Sequence, residues 1–376
     1  MSRIFRSLPL LVFLCCLGAP AAGDESLDKL LPVRGLCMPS PRPARVDDFV
    51  KFIDEQLVPR AVNVLVLRVD YGYKYASHPE VADPNGLTRE QVGKIGEACR
   101  KAKIQVIPQI NLLGHQSWAS RTGRLLQTHP DFDETPWVKM PERYAWPNPD
   151  RLYCKSYCPR HPQVHEVVFA LVDELCDAFQ ADAFHAGLDE VFYIGEEKCP
   201  RCGGRDKAQL FADEVKLIRD HLDARKRKLW IWGDRLLEGK VSGLGEWEAS
   251  TNGTDRAVDL IPKDVIICDW HYDRAVPTPA YFALKGLNVV ICPWRKPAVA
   301  TTELQEMLEL REQSTPQMKG HLLGVMQTVW SSADGFMDEV AGKRPPVERK
   351  GRRGGGGSEG ECFKALFDEV GKLKGK

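Results

Sequence analysis

Eight short runs rich in Val and Ile, separated by stretches of helical periodicity, constrain this chain more than any other feature. They are Val33 to Met38, Asn63 to Val69, Ile104 to Ile110, Ala181 to Ala186, Lys228 to Trp232, Asp264 to Asp269, Leu287 to Cys292 and Leu322 to Val329. Apolar runs without strict alternation mark strands covered on both faces, as in a parallel sheet. Helices are expected between them over Arg45 to Leu57, Thr88 to Ala102, His161 to Phe179, Lys207 to Ala224 and Thr302 to Gln313. In the third of these, Val164, Val168, Leu171, Val172, Leu175 and Phe179 form one apolar stripe. Eight strands alternating with helices predict an α/β fold, a (β/α)8 TIM barrel in a single domain.

The first 22 residues are set apart from that fold. Arg3 and Arg6 precede the apolar run Leu8 to Leu17, and Ala19-Pro20-Ala21-Ala22 offers small residues for cleavage, which predicts a signal peptide over 1–22 and the barrel over 23–376. The apolar run is shorter than the roughly 20 residues a membrane span needs, so a secreted or periplasmic protein is expected. With 52 basic and 52 acidic side chains, nothing favours a nucleic acid or an anionic surface as partner. A neutral ligand fits better.

Two segments interrupt the repeat. Residues 114–162 form a long loop after the third strand, with Trp118, Trp137 and Trp146, on the face where barrels of this kind carry their sites. Residues 351–360 form a Gly-rich loop ahead of a last helix, Cys362 to Leu373, and no function is expected of it. Among the ten cysteines beyond the leader, Cys268 and Cys292 sit in apolar strands and read as buried and inert. Cys154 and Cys158, with Cys199 and Cys202, have spacings that suit either a closed structural zinc site or disulfides, and neither makes a metal catalytic.

Reacting groups in such a barrel belong at the C-terminal ends of the strands. The fourth run ends His185-Ala186-Gly187-Leu188-Asp189-Glu190. Alternation puts His185, Gly187 and Asp189 on the inward face, with Glu190 where strand gives way to loop. Two adjacent carboxyl groups in a partly dry cleft tend to divide into a proton holder and a charged neighbour. An Asp-Glu pair alone equally fits a helix cap, and a lone histidine a satisfied core residue.

The surrounding segments shift that balance. His185 to Glu190 resembles the His-x-Gly-Gly-Asp-Glu signature of family 20 glycoside hydrolases, the β-N-acetylhexosaminidases. Pro108 to His115 is similar to that family's third-strand segment Pro-Glu-Ile-Asp-x-Pro-Gly-His, and Val33-Arg34-Gly35-Leu36 to its first strand. The resemblance implies hydrolysis of terminal β-linked N-acetylhexosamine with retention and no cofactor, the substrate's acetamido oxygen serving as nucleophile. Glu190 would be acid and base, and Asp189 would orient the acetamide. Arg34 and Asp70 would grip hydroxyls, His115 and His185 would support the cleft, and Trp232, Trp270, Trp294 and Trp330 would wall the sugar. Indoles suit the apolar face of a pyranose. An oligosaccharide or glycoconjugate is the implied partner.

The sequence also departs from that pattern. Gln109, Asn111 and Leu113 replace Glu, Asp and Pro, and Leu188 replaces a Gly. Cys292-Pro293-Trp294-Arg295-Lys296 stands where the family has Tyr-x-Asp, so Tyr272 from the sixth strand is the candidate substitute, and Trp330-Ser331-Ser332 lacks the acid often found after the eighth strand. A carbohydrate-binding protein without turnover, or a glycosidase for another sugar, are the alternatives these departures raise.

Overall fold

All eight apolar runs are strands in the computed structural model, which describes residues 25–118, 120–143, 154–346 and 357–374. They are β1 (Val33–Pro39), β2 (Val64–Arg68), β3 (Gln105–Leu112), β4 (Ala183–Gly187), β5 (Lys228–Trp232), β6 (Ile266–Asp269), β7 (Asn288–Ile291) and β8 (Leu322–Thr328). Consecutive strands pair in parallel and β8 closes onto β1, forming the predicted barrel. The side-chain period of two sorts each strand between two apolar regions. Val33, Cys37, Val66, Ile107, Trp230, Trp232, Cys268 and Met326 fill the barrel interior. Leu36, Met38, Leu65, Leu67, Phe184 and Ala186 belong to the larger layer packed with the helices.

The outer helices begin and end where local chemistry dictates. Thr88 and Gln91 form a reciprocal cap at the start of Arg89–Lys101. The stripe of Val164–Phe179 is wholly buried, and Gln180 ends that helix in the left-handed region. Two helices start earlier than expected, and the one expected from His161 starts later, at Val164. Pro297–Gln313 begins ahead of Thr302, because a proline in the first turn needs no N–H partner. The last helix, Glu359–Gly371, begins ahead of Cys362, capped by Ser358 and Glu361.

The signal peptide expected over 1–22, Trp146 and the Gly-rich residues 351–356 lie outside the described residues. No described helix is long and apolar enough to cross a membrane.

Candidate active site

Left-handed residues crowd the C-terminal rim of β2, β3 and β4: Asp70 (φ 48°), Leu113 (φ 61°), His115 (φ 54°), Leu188 (φ 66°) and Glu190 (φ 50°). An L-residue there costs about 1–2 kcal/mol, so each turn is held by its surroundings. Leu188 faces the helix layer, as alternation requires, and is fully buried. Its burial is worth about 1.5–3 kcal/mol, which offsets a backbone angle that a glycine would adopt freely. Gly187 (φ 70°) has no such latitude, because a Cβ would lie 2.3 Å from Asn111 Oδ1 on β3.

This contour brings Asp189 and Glu190, both at least nine-tenths buried, to the barrel mouth beside His115. His115 Nε2 is 2.9 Å from Asp189 Oδ2 and 3.3 Å from Glu190 Oε2. Cys154 donates its thiol to Glu190 Oε2 at 3.3 Å and lies 3.2 Å from His115 Nδ1. The Glu190 backbone N–H donates to Asp234 Oδ2 at 2.9 Å, and Arg235 Nε holds the same oxygen at 2.7 Å. Burial pushes Asp234 up to about 6 against the pull of Arg235. Asp189 Oδ1 is buried and has no hydrogen-bond partner among the described residues. A buried carboxylate oxygen left so is expensive unless a ligand donates to it.

Burial opposes the charge on both Asp189 and His115, but their mutual attraction and hydrogen bond outweigh it. Asp189 is held below the usual carboxylate range and His115 well above the usual imidazole value. The depressed carboxyl stabilises the fold at pH above its unfolded value of about 3.9, an effect lost as pH falls through the lower folded value. The raised imidazole contributes below about 6.5 and is lost only as pH climbs through its higher folded value. The stability difference between wild type and Asp189→Asn, read by urea unfolding, should therefore hold steady over about pH 5–6.5 and shrink below about pH 4. A difference that grows in acid would contradict the pairing.

Aromatic rings close the other side of the mouth. Trp232, fully buried, stands between His185 (centroids 4.5 Å apart) and Trp330 (5.9 Å), and its Nε1 has no partner among the described residues. Tyr272 packs on Trp270 (5.0 Å) and Trp294 (5.3 Å), and its hydroxyl accepts the Trp330 Nε1–H at 2.9 Å. Trp270 donates to Asp234 Oδ1 at 3.3 Å. Asp70 Oδ1 accepts the Asn111 N–H at 2.8 Å, and Gln109 donates to Asn111 Oδ1 at 3.0 Å. The two amides thus satisfy each other where two carboxylates would repel.

Arg34 is not part of this assembly. It shares the outward face of β1 with Leu36, and its guanidinium donates to Leu31 O, Ala61 O and Asp28 Oδ1, all preceding the strands. Arg68, at the mouth end of β2, was missed. It inclines over Trp330 at 4.3 Å and donates to Val329 O at 2.9 Å. The inward series Val64, Val66, Arg68 was the available signal.

The segment expected to be inert also contributes. Glu359, at its end, accepts from Trp294 Nε1 (2.6 Å) and from the Trp330 and Ser331 N–H groups (2.8 and 3.2 Å), supplying an acid beside β8 from elsewhere in the chain. A cavity of about 240 Å³ opens there, bounded by Arg295, Glu339 and Arg344, on the β7–β8 flank of the mouth.

The cysteines regroup. Cys154 leaves the expected set of four for His115 and Glu190, while Cys158, Cys199 and Cys202 gather with Glu134. These are the two groups of metal-ligand type found among the described residues. None of the described cysteines is in a disulfide.

A parallel eight-stranded barrel with two carboxyl groups and a ring of indoles at its mouth places acid–base groups beside flat apolar faces of the kind that stack on a sugar ring. Comparison with known proteins makes that specific. The profile of glycosyl hydrolase family 20, catalytic domain, matches residues 70–333, and the chain belongs to that family. A β-hexosaminidase of Akkermansia muciniphila is 30% identical over 132 residues, covering 35% of this chain and 25% of that protein. The chain thus spans about a quarter of the length of that curated relative. Among solved structures, a β-N-acetylhexosaminidase superposes with a TM-score of 0.62 at 18% identity, covering 90% of this chain and 71% of that one. The Flavobacterium johnsoniae chitobiase superposes with a TM-score of 0.59 at 18% identity, covering 82% and 46%.

Proposed function

We propose that the protein is an exported glycosidase that removes terminal β-linked N-acetylhexosamine with retention of configuration, the substrate's own acetamido oxygen attacking the anomeric carbon. The observation that carries this reading is Asp189 Oδ1, a buried acceptor without a partner beside the Glu190 carboxyl. An acetamido N–H would complete it.

In the first step Glu190 gives its proton to the glycosidic oxygen as the acetamide oxygen closes on the anomeric carbon. Asp189 holds the acetamide in the attacking position and stabilises the positive charge that spreads to its nitrogen. His115, bonded to Asp189 Oδ2, fixes the carboxylate so that Oδ1 faces the sugar. In the second step Glu190 takes a proton from water as the water oxygen bonds to the anomeric carbon from the face the aglycone left, breaking the bond to the acetamide oxygen, so that two inversions give retention. No enzymic nucleophile is needed, and such enzymes depart from the usual two-carboxylate spacing. Trp232, Trp330 and Tyr272 would bound the sugar and its acetamido group. Export rests on the leader-like residues 1–22.

Successive fluorination of the N-acyl group tests this, since it weakens the carbonyl oxygen as a nucleophile. A steep fall in kcat/KM, with the β-anomer seen first by NMR, is expected. An unchanged rate would mean that an enzyme group attacks instead.

The two arginines should separate function from stability. Arg68→Ala should lower kcat/KM by about tenfold, from the loss of a cation–π contact and a charged donor at the mouth. Arg34→Ala should leave kcat/KM unchanged and cost about 1–3 kcal/mol in denaturant unfolding. The opposite pattern would restore Arg34 as the sugar-binding arginine.

A further inference from the structure

Away from the carboxyl pair, Glu134, Cys158, Cys199 and Cys202 meet with all four side chains buried and their ligand atoms within 4.8 Å of one another. Cys158 Sγ lies 3.6 Å from Cys199 Sγ and 3.8 Å from Cys202 Sγ. A tetrahedron built on metal–sulfur bonds of about 2.3 Å has edges of about 3.8 Å, so the thiols already stand at ligand spacing. Glu134 takes the remaining corner, its two carboxylate oxygens 2.8 and 3.0 Å from Cys202 Sγ.

Backbone donors and a tight turn frame the cluster. The backbone N–H groups of Arg201 and Cys202 face the Cys199 sulfur, and that of Arg160 faces Cys158. The turn depends on Gly203, where a Cβ would lie 2.6 Å from Glu197 O and 2.7 Å from Cys199 O. The Glu196 N–H, 3.0 Å from Glu134 Oε1, orients the carboxylate as outer partners of metal ligands do.

We propose that Glu134, Cys158, Cys199 and Cys202 bind one zinc ion in a closed tetrahedral site. Sulfur-rich tetrahedral sets suit zinc, and the thiol protons leave to solvent as it binds. With four protein ligands the ion has no open position, so its work is structural. It ties the segment after β3, which carries Glu134 and Cys158, to the segment after β4, which begins at Asp189 and Glu190. Cys154 stands in the same backbone stretch as Cys158, whose neighbours bond back to the end of β3 through Tyr157 N–H to Leu113 O at 3.0 Å. The ion would therefore hold the Cys154 thiol against Glu190. None of this depends on which sugar is cleaved.

Elemental analysis of the purified full chain should find one zinc per chain. Cobalt exchanged for zinc should show thiolate charge-transfer absorption and the intense visible bands of a tetrahedral site. Cys199→Ser and Glu134→Gln should lose or weaken metal binding, and Cys154→Ser should retain a full equivalent. Chelation should lower the midpoint of thermal unfolding. If Cys199→Ser does not fold, mercurial titration of the wild-type thiols against a zinc-sensitive dye gives the same answer. A chain that takes up no zinc, a disulfide among these three cysteines, or loss of the metal in Cys154→Ser would each overturn the site.

Discussion

Glu190→Gln should keep the fold and lose about 10²–10⁴-fold in kcat/KM on an alkyl β-N-acetylglucosaminide, the range a positioned proton donor supplies. The substitution is nearly isosteric, and its backbone N–H keeps the bond to Asp234. What it removes is the transferable proton. The loss should be small for leaving groups that depart without protonation and large for an alkyl glycoside. An equal loss across leaving groups would show that Glu190 acts by position alone.

Asp189→Asn should cost about 10²–10³-fold in kcat, comparable to removing one preorganised partner from a developing charge. Its Oδ2 is bonded to His115, and its Oδ1 is the buried acceptor that the acetamide would fill. An amide can still accept from the acetamido N–H, but it carries no charge to balance the cyclic intermediate. The fall should therefore appear in kcat more than in KM, and only with 2-acetamido sugars. If Asp189→Asn slows glucosides and N-acetylglucosaminides alike, the carboxylate is structural and not an orienter. Because His115 would lose its partner, the stability of this variant must be read beside its activity.

The barrel was legible because each strand is apolar on both faces, so that eight runs of Val and Ile stand out without knowledge of their pairing. Asp189 and Glu190 were legible for the same reason: alternation along β4 puts one at the inward mouth, and the strand ends there. Applied to β1, the same rule would have placed Arg34 with Leu36 and Met38 on the helix side, and on β2 it would have picked out Arg68. Contacts between distant segments left no such trace. Cys154 and Cys158 lie close enough in sequence to suggest one site, yet Cys154 meets Glu190 while Cys158 meets Cys199. Glu134 and Glu359 are joined to their clusters only by folding.

Participation of the acetamide is read most directly from one ratio, the kcat/KM of the wild-type chain for nitrophenyl β-N-acetylglucosaminide over that for the matching β-glucoside. A ratio of about 10³ or more is expected, since without the acetamide there is neither a nucleophile nor a donor for Asp189 Oδ1. Equal turnover of the two, or binding of both with turnover of neither, would contradict it.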